Sequence, residues 1–116
     1  MEFTDSLKKN YEFRRLYNKG KSAATPYVVV YVKRTGRDTN RLGVTVSNKI
    51  GKAVVRNKVR RRLREIYRLH EGEMQRGVDL VFVARGRSVD ATYAQLEQAV
   101  IMACKQLKVV KEQGET

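Results

Sequence analysis

The side chains that could catalyse hydrolysis or hold a metal ion are few and scattered in this sequence. There is one histidine, His70, and one cysteine, Cys104. A self-sufficient nuclease needs either a carboxylate cluster for metal ions or a separate acid and base, and one histidine cannot supply both. We therefore expect no catalytic residue, no cofactor bound by the protein alone and no metal site. The acidic residues, which no spacing gathers in threes, are Glu2, Asp5, Glu12, Asp38, Glu65, Glu71, Glu73, Asp79, Asp90, Glu97, Glu112 and Glu115.

The basic residues, in contrast, are numerous and concentrated. The 116 residues include 25 Lys and Arg against 12 Asp and Glu, a net charge of +13. The whole excess lies in residues 1–70, and residues 71–116 are nearly neutral. A charge of this size predicts a polyanionic partner, with nucleic acid favoured over an anionic membrane surface.

The densest basic stretch lies in a predicted helix from Ala53 to about His70. A solvated helix face usually mixes charges of both signs, but residues 56–68 hold seven Arg or Lys and only one acid. Arginine without lysine on the polar face favours bidentate phosphate recognition, and Lys58 and Arg62 lie at the edge of the apolar stripe. That stripe comprises Val55, Val59, Leu63, Ile66, Leu69 and His70, and the polar face comprises Arg56, Asn57, Arg60, Arg61, Arg64 and Arg68.

Aromatic residues interleaved with basic ones favour single-stranded nucleic acid, because unstacked bases can stack on the rings. The candidates are Phe13, Tyr17, Tyr27 and Tyr31, and for each alone core packing is an equally good interpretation. In the strand from Arg41 to Ser47, the small residues Gly43, Thr45 and Ser47 share one face. That face either leaves room for a ligand or another chain, or belongs to a half-exposed antiparallel strand.

The elements that position these residues follow from hydropathy periodicity. We expect an α+β fold, with a small mixed sheet packed with helices in the order helix-strand-strand-helix-strand-helix. The chain reads as a single RNA-binding domain over 1–116, with frayed ends at 1–8 and 111–116. We expect Cys104 to be a structural thiol. No secretion or membrane-spanning segment is visible, so we expect a cytoplasmic protein without a membrane partner. Predicted elements are Asn10 to Gly20, Tyr27 to Lys33, Arg41 to Ser47, Ala53 to His70, Val78 to Arg85 and Thr92 to Val110.

Three segments together resemble the protein subunit of bacterial ribonuclease P. They are NYEFRRLYNKGKS at 10–22, RLGVTVSNKIGKAVVRNKVRRRLREIYR at 41–68 and GVDLVFVAR at 77–85. The pattern Gly-x-Ala-x-x-Arg-Asn-(Lys/Arg)-x-(Lys/Arg)-Arg, from Gly51 to Arg61, is the basic signature of that family. The resemblance implies a fold like domain 2 of ribosomal protein S5, with a left-handed β-α-β crossover formed by the strand from Arg41, the basic helix and the strand from Val78.

The resemblance also implies a function in tRNA processing. In that family a large RNA catalyses phosphodiester hydrolysis with Mg²⁺, and the protein assists this endoribonuclease in removing the 5′ leader of precursor tRNA. The family's signature helix faces the catalytic RNA, and a cleft between a helix and the sheet receives the leader. The residues expected at the catalytic RNA are Lys49, Lys52, Arg56, Asn57, Lys58, Arg60, Arg61, Arg64 and Arg68. Those expected at the leader are Phe13, Tyr17, Tyr27, Val30 and Tyr31.

Two other classes of protein fit parts of the pattern. A structural ribosomal-RNA-binding protein would share the size, the charge and the mixture of sheet and helices. A free-standing nuclease is the weaker alternative, because the sequence shows no catalytic set.

Overall fold

A computed structural model describes residues 1–111 of the chain. Within this range it contains a five-stranded sheet and three α-helices, which confirms the α+β prediction. The strands are β1 (Thr4–Ser6), β2 (Lys21–Ala24), β3 (Val28–Arg34), β4 (Asn40–Thr45) and β5 (Val78–Ala84). The helices are α1 (Asn10–Lys19), α2 (Ala53–His70) and α3 (Tyr93–Gln106), and short 3-10 turns cover Asn48–Ile50, Glu71–Glu73 and Gly86–Val89.

The sheet has the strand order β1-β4-β5-β3-β2. Strands β4 and β5 are parallel neighbours, and α2 lies between them in the chain, so the predicted β-α-β crossover is confirmed as a connection. Its left-handed sense stays a prediction from the resemblance. In register across three strands, Gly43 pairs with Val81 and Val81 with Tyr31. This row lies at the centre of the sheet face that α1 covers, which we call the outer face.

Helices cover both faces of the sheet. The inner face packs on α2 and α3 in the main core, which contains Val28, Val30 and Val32 of β3 with Leu80 and Phe82 of β5. On the outer face, α1 closes a smaller cluster. Both faces of β3 carry apolar side chains because each face of this strand is covered by helices. The smaller cluster consists of Leu7, Leu16 and Val81, with Phe13, Tyr31 and Val83 packed against it.

The apolar face of α2 is rotated from the predicted stripe. Leu69, which the stripe included, is 54% exposed, whereas Tyr67, which it omitted, is fully buried. The Tyr67 ring packs edge-on against Phe82, with ring centroids 6.1 Å apart. Its hydroxyl lies 2.7 Å from the Thr4 hydroxyl and accepts a hydrogen bond from Asn40 Nδ2 at 3.2 Å. A tyrosine can be buried here because its polar end has partners.

The N-terminal segment is ordered by pairing, which corrects the expected fraying of residues 1–8. Thr4–Ser6 runs parallel to the start of β4. The Glu71 carboxylate accepts hydrogen bonds from the backbone N–H of Glu2 at 2.7 Å and of Phe3 at 3.3 Å. Three polar residues with no apolar alternation gave no strand signal, because the neighbouring strand makes β1 extended. Most of the other expected frayed end, residues 112–116, lies outside the described residues.

Helix α3 is shorter than the predicted Thr92 to Val110. After Gln106 the backbone reverses at Lys108, whose φ is +61°. Val109 is then buried, and its carbonyl accepts a hydrogen bond from Gln75 N–H at 2.7 Å. The apolar periodicity therefore continued past the helix because these residues remain in the core without helical geometry.

Cys104, on α3, is fully buried and free. Burial raises the pKa of its thiol to about 12, so the group stays protonated and unreactive. This confirms Cys104 as a structural residue. Among residues 1–111, no helix is both long and apolar enough to cross a membrane.

Candidate nucleic-acid interfaces

An open cleft of about 560 Å³ lies beside α1 on the outer face of the sheet. Its aromatic walls come from α1, and its floor comes from the end of β4. The cleft is lined by Asn10, Phe13, Arg14, Tyr17 and Thr45.

Gly43 explains how α1 comes so close to the sheet. A Cβ at this position would lie 2.5 Å from the Phe13 ring, which is closer than two carbon atoms can pack. The small-residue face of β4 is therefore partly filled by Phe13 of the same chain. The remaining open part of this face lies at Thr45, whose hydroxyl is 3.2 Å from the Tyr17 hydroxyl.

The aromatic groups at the cleft differ in their exposure. Tyr17 is 37% exposed, and its ring packs edge-on against Tyr31, with centroids 4.9 Å apart. Tyr31 is half-buried in the cluster beneath α1. Arg14 is exposed beside these rings. An accessible ring next to a cation is the combination that binds an unpaired base and its phosphate.

Arg41 ties the first turn of α1 to the sheet. Its Nε and Nη2 donate to Asp79 Oδ1 and Oδ2 at 3.0 and 2.7 Å, and its Nη1 pairs with Glu12. The other Glu12 oxygen accepts from the Lys9 N–H at 3.2 Å. Burial opposes ionisation of Glu12, but the Lys9 amide and the Arg41 guanidinium hold the pKa of this carboxyl below its usual value. We call Arg41, Glu12 and Asp79 the Arg41 clamp.

The clamp is one of three contacts that align α1 with β4. Every second residue of β4 points to the same face of the sheet, and three such residues each contact a residue of α1. The pairs are Arg41 with Glu12, Gly43 with Phe13, and Thr45 with Tyr17. The position of the cleft therefore depends on this alignment.

Two of the residues expected at the leader lie elsewhere. Val30 faces inward and is fully buried in the main core, because alternation along β3 places it opposite Tyr31. Tyr27 precedes β3, so alternation does not extend to it. It packs against the main core near α3, with the Arg87 guanidinium 5.5 Å from its ring. Neither residue lines the cleft, and both assignments are corrected.

Helix α2 carries the second candidate surface, a depression of about 420 Å³ along its polar side. Arg60 Nη1 donates to Asn57 Oδ1 at 3.0 Å. Arg68 donates to both oxygens of Glu65, at 2.9 and 2.5 Å, but this pair is exposed and is easily exchanged for another anion. The depression is lined by Met1, Asn57, Arg60, Arg61, Arg64, Glu65 and Arg68. We call its arginines the Arg face.

The other basic residues predicted on this surface surround the start of α2. Arg56 is half-buried and donates to the Gly51 carbonyl at 2.9 Å, so it is bound to the loop that begins the helix. Lys52 occupies the N-cap position of α2 and Lys49 lies in the preceding 3-10 turn. These two lysines and Lys58 are exposed but do not line the depression.

His70 links two helices rather than packing on the apolar side of α2. Its Nδ1 lies 2.6 Å from Glu73 Oε2 and its Nε2 lies 2.9 Å from Glu97 Oε2 of α3. The hydrogen bond to Glu97 contributes most to raising the pKa of His70 above its usual value, against the effect of burial. Both ring nitrogens are occupied by structural contacts. Within residues 1–111, no three His, Cys, Asp or Glu side chains are grouped as metal ligands.

Sequence reasoning missed Asn10 and Arg14 as residues of the cleft. Their spacing carried a signal, because positions 10, 14 and 17 lie on one side of a helix. Thr45 was noted for its small size only. The role of Arg41 had no local signal, since its partners Glu12 and Asp79 lie 29 and 38 residues away.

The family model described as Ribonuclease P matches residues 1–108. A ribonuclease P protein component from Alkaliphilus oremlandii is 40% identical over 110 residues, covering 95% of this chain and 96% of that protein. One from Clostridium botulinum strain 657 is 48% identical over 102 residues, covering 87% and 92%.

Solved structures match the fold as well. The RNase P protein of Staphylococcus aureus is 36% identical, with a TM-score of 0.84 over 91% of this chain and 97% of that one. The RNase P protein of Thermotoga maritima is 30% identical, with a TM-score of 0.77 over 84% and 93%.

Proposed function

Since this chain belongs to the ribonuclease P protein family and is a subunit of that endoribonuclease, we propose that its two surfaces bind two different RNA segments. The Arg face of α2 binds the catalytic RNA of the enzyme. The cleft beside α1 binds the single-stranded 5′ leader of precursor tRNA. The Arg face and the aromatic-lined cleft belong to helices α2 and α1, which cover opposite faces of one sheet, and this separation is the observation that carries the division.

The chemistry of the Arg face suits a folded RNA backbone. Guanidinium groups at successive turns of one helix present paired N–H donors to phosphate oxygens. Arg61 and Arg64 have no ion pair with any of the residues 1–111, so these groups can bind phosphate without first breaking a salt bridge. Lys49, Lys52, Arg56 and Lys58 extend the positive surface toward the start of α2.

The chemistry of the cleft suits an unpaired strand. Tyr17 offers a ring on which a base can stack, and Arg14 can contact the adjoining phosphate. Phe13 and Tyr31 hold Tyr17 and α1 in place, since they are packed in the cluster under the helix. A duplex would keep its bases stacked internally and would gain nothing from the ring.

Hydrolysis is assigned to the RNA, in the cytoplasm where precursor tRNA is processed. The carboxylates of residues 1–111 form no ligand set for a metal ion, so no step of the proposal passes through a metal held by this chain. In the RNA-containing holoenzyme, bound Mg²⁺ would supply an activated water and stabilise the charge on the leaving oxygen. The protein contributes binding and orientation of the substrate.

The experiment that tests this proposal compares cleavage of precursor tRNA, in Mg²⁺, by the protein alone, by the bacterial catalytic RNA alone and by both. We expect no cleavage by the protein alone, and stimulation of the RNA that is greater for a substrate with a leader of several nucleotides. Cleavage by the protein alone would contradict the proposal. Failure to stimulate the RNA would favour a structural ribosomal-RNA-binding role instead.

A further inference from the structure

A third basic surface lies away from the cleft and from the Arg face. Four separate elements, α1, β2, β3 and the turn after α3, surround a concavity of about 280 Å³. Five of its eight lining residues are cationic and none is acidic, and among residues 1–111 none of its four lysines forms a salt bridge. We call it the lysine concavity. It is lined by Lys19, Lys21, Val32, Lys33, Arg34, Leu107, Lys108 and Val109.

Close backbone packing and the hydrogen bonds of one arginine side chain hold these residues together. A Cβ on Gly20 would lie 2.8 Å from the Val32 carbonyl oxygen, so only glycine lets the end of α1 approach β3 this closely. Arg34 Nη1 donates to Gln75 Oε1 at 3.0 Å, and Nη2 donates to the Lys108 carbonyl at 3.2 Å. The arginine thus ties the end of β3 to the turn after α3. The concavity is part of the fold and not a chance grouping of long side chains.

Lys108 adopts a backbone conformation that favours another residue. Its φ of +61° lies in the left-handed region, and the turn is fixed by hydrogen bonds from Lys108 N–H to Lys105 O and from Val109 N–H to Cys104 O, both 3.0 Å. Glycine is the usual residue at such a position after a helix. Strain of this kind, when it places a functional group, points to a role for the side chain.

The known preference of cations for helix C-termini explains only part of the cluster. Lys19 lies in the last turn of α1 and Lys108 follows α3, so each is favoured by a helix dipole. Lys21, Lys33 and Arg34 are in strands and gain nothing from either dipole. Like charges packed in one concavity repel one another, and an anion bound there would remove that cost.

The concavity and the proposed leader cleft lie at opposite ends of the sheet's central strand, β5. Lys33 pairs with Asp79, and Asp79 with Arg41, in one row of the register. Thr45, at the cleft, pairs with Val83 at the other end of β5. We propose that the lysine concavity binds phosphodiester groups of RNA, as a third contact beyond the two surfaces proposed above.

A triple variant, Lys21→Gln with Lys33→Gln and Lys108→Gly, tests the site in the reconstituted holoenzyme. Its matched control is Lys8→Gln with Lys105→Gln and Lys111→Gln, which removes the same charge from three lysines that line none of the surfaces described. The affinities for the catalytic RNA, and of the holoenzyme for leader-bearing and mature tRNA, are measured over a salt series. We expect the triple variant to lose about tenfold more affinity than the control, with a salt slope reduced by roughly 2.

Each outcome of that comparison is decisive. A specific loss with the catalytic RNA identifies it as the source of the phosphates. A loss confined to leader-bearing substrate identifies the leader, and an equal loss with leader-bearing and mature tRNA identifies the body of the tRNA. Equal losses in the triple variant and the control overturn the proposal. That result would leave the proposed function intact, because the latter depends on the Arg face and the cleft.

The single variant Lys108→Gly separates binding from folding. Glycine relieves the left-handed backbone at this position, so we expect the melting temperature to rise while the affinity for RNA falls about threefold relative to Lys105→Gln. A purely structural lysine would show the gain in stability without the loss in affinity, and that result would overturn the proposal.

Discussion

The Arg face of α2 and the cleft beside α1 differ in how their functional groups are held. The Arg face lies on a single continuous helix, and within residues 1–111 its groups are linked by short-range contacts only, such as that of Arg60 with Asn57. The cleft needs α1, β4 and β3 in one arrangement, because Phe13 must fit over Gly43 and Tyr17 must reach Thr45 and Tyr31. One surface is a property of a helix, and the other is a property of the fold.

This difference teaches what each surface tolerates. Long arginine side chains can adapt to an irregular RNA backbone, because their partners in the free protein are few and exposed. Stacking a base requires a ring at a fixed distance and angle, which only a packed neighbourhood can supply. We therefore expect substitutions near α1 to change leader binding through geometry, and substitutions on α2 to act through charge.

The largest effect is expected from Arg60→Ala combined with Arg64→Ala. Loss of two charge-assisted phosphate contacts should weaken binding of the catalytic RNA by about 3 kcal/mol, roughly a hundredfold. The salt dependence should flatten, by about 1.5 in the log-log slope, because fewer counterions are released. Titrations at several salt concentrations measure both, and an unchanged slope would remove this face from the interface.

A smaller effect is expected from Tyr17→Ala at the cleft. Loss of one stacked base should cost about 1.5 kcal/mol, near tenfold in affinity, for leader-bearing tRNA and not for mature tRNA. Tyr17→Phe keeps the ring and should retain most of the affinity. Tyr11→Ala is the matched control, since Tyr11 is an exposed aromatic of the same helix that does not line the cleft. Equal losses on both substrates would assign Tyr17 to packing alone.

The smallest effect on RNA binding is expected from Arg41→Gln, which opens the Arg41 clamp. Glu12 and Asp79 would lose their partner, lowering the free energy of unfolding by about 2 kcal/mol, and α1 would shift so that leader affinity falls about threefold. Affinity for the catalytic RNA should stay as in Arg37→Gln, a control that removes an exposed arginine from the turn before β4.

A double-mutant cycle sharpens this prediction. If Arg41 acts on the cleft through Glu12, then Glu12→Gln should cause a similar loss of leader affinity, and the double variant should lose little more than either single one. Additive losses would mean that Arg41 touches the leader itself. Both outcomes are read from the same binding assay, alongside unfolding curves for each variant.

The sequence predicts those parts of the fold that depend on interactions between nearby residues, and not those that depend on contacts between distant residues. Helix α2 and strands β3 and β5 were predicted nearly to the residue, because their periodicity is local and strong. Strands β1 and β2 were missed, since their polar and small residues become extended only when a neighbouring strand pairs with them. The expected contact at Val30 was wrong because a shift of one residue reverses the face of a strand.

Composition and order along the chain determined by themselves that this protein carries a dense arginine surface on one helix and resembles one family of RNA-dependent enzymes. The sign of the charges, the helical period and the spacing of the motif depend only on residue type and position along the chain. The tertiary structure alone decided that Phe13 lies over Gly43, that Arg41 joins Glu12 to Asp79, and that lysines from four elements share one concavity. These are contacts between distant residues, and only packing determines which residues meet.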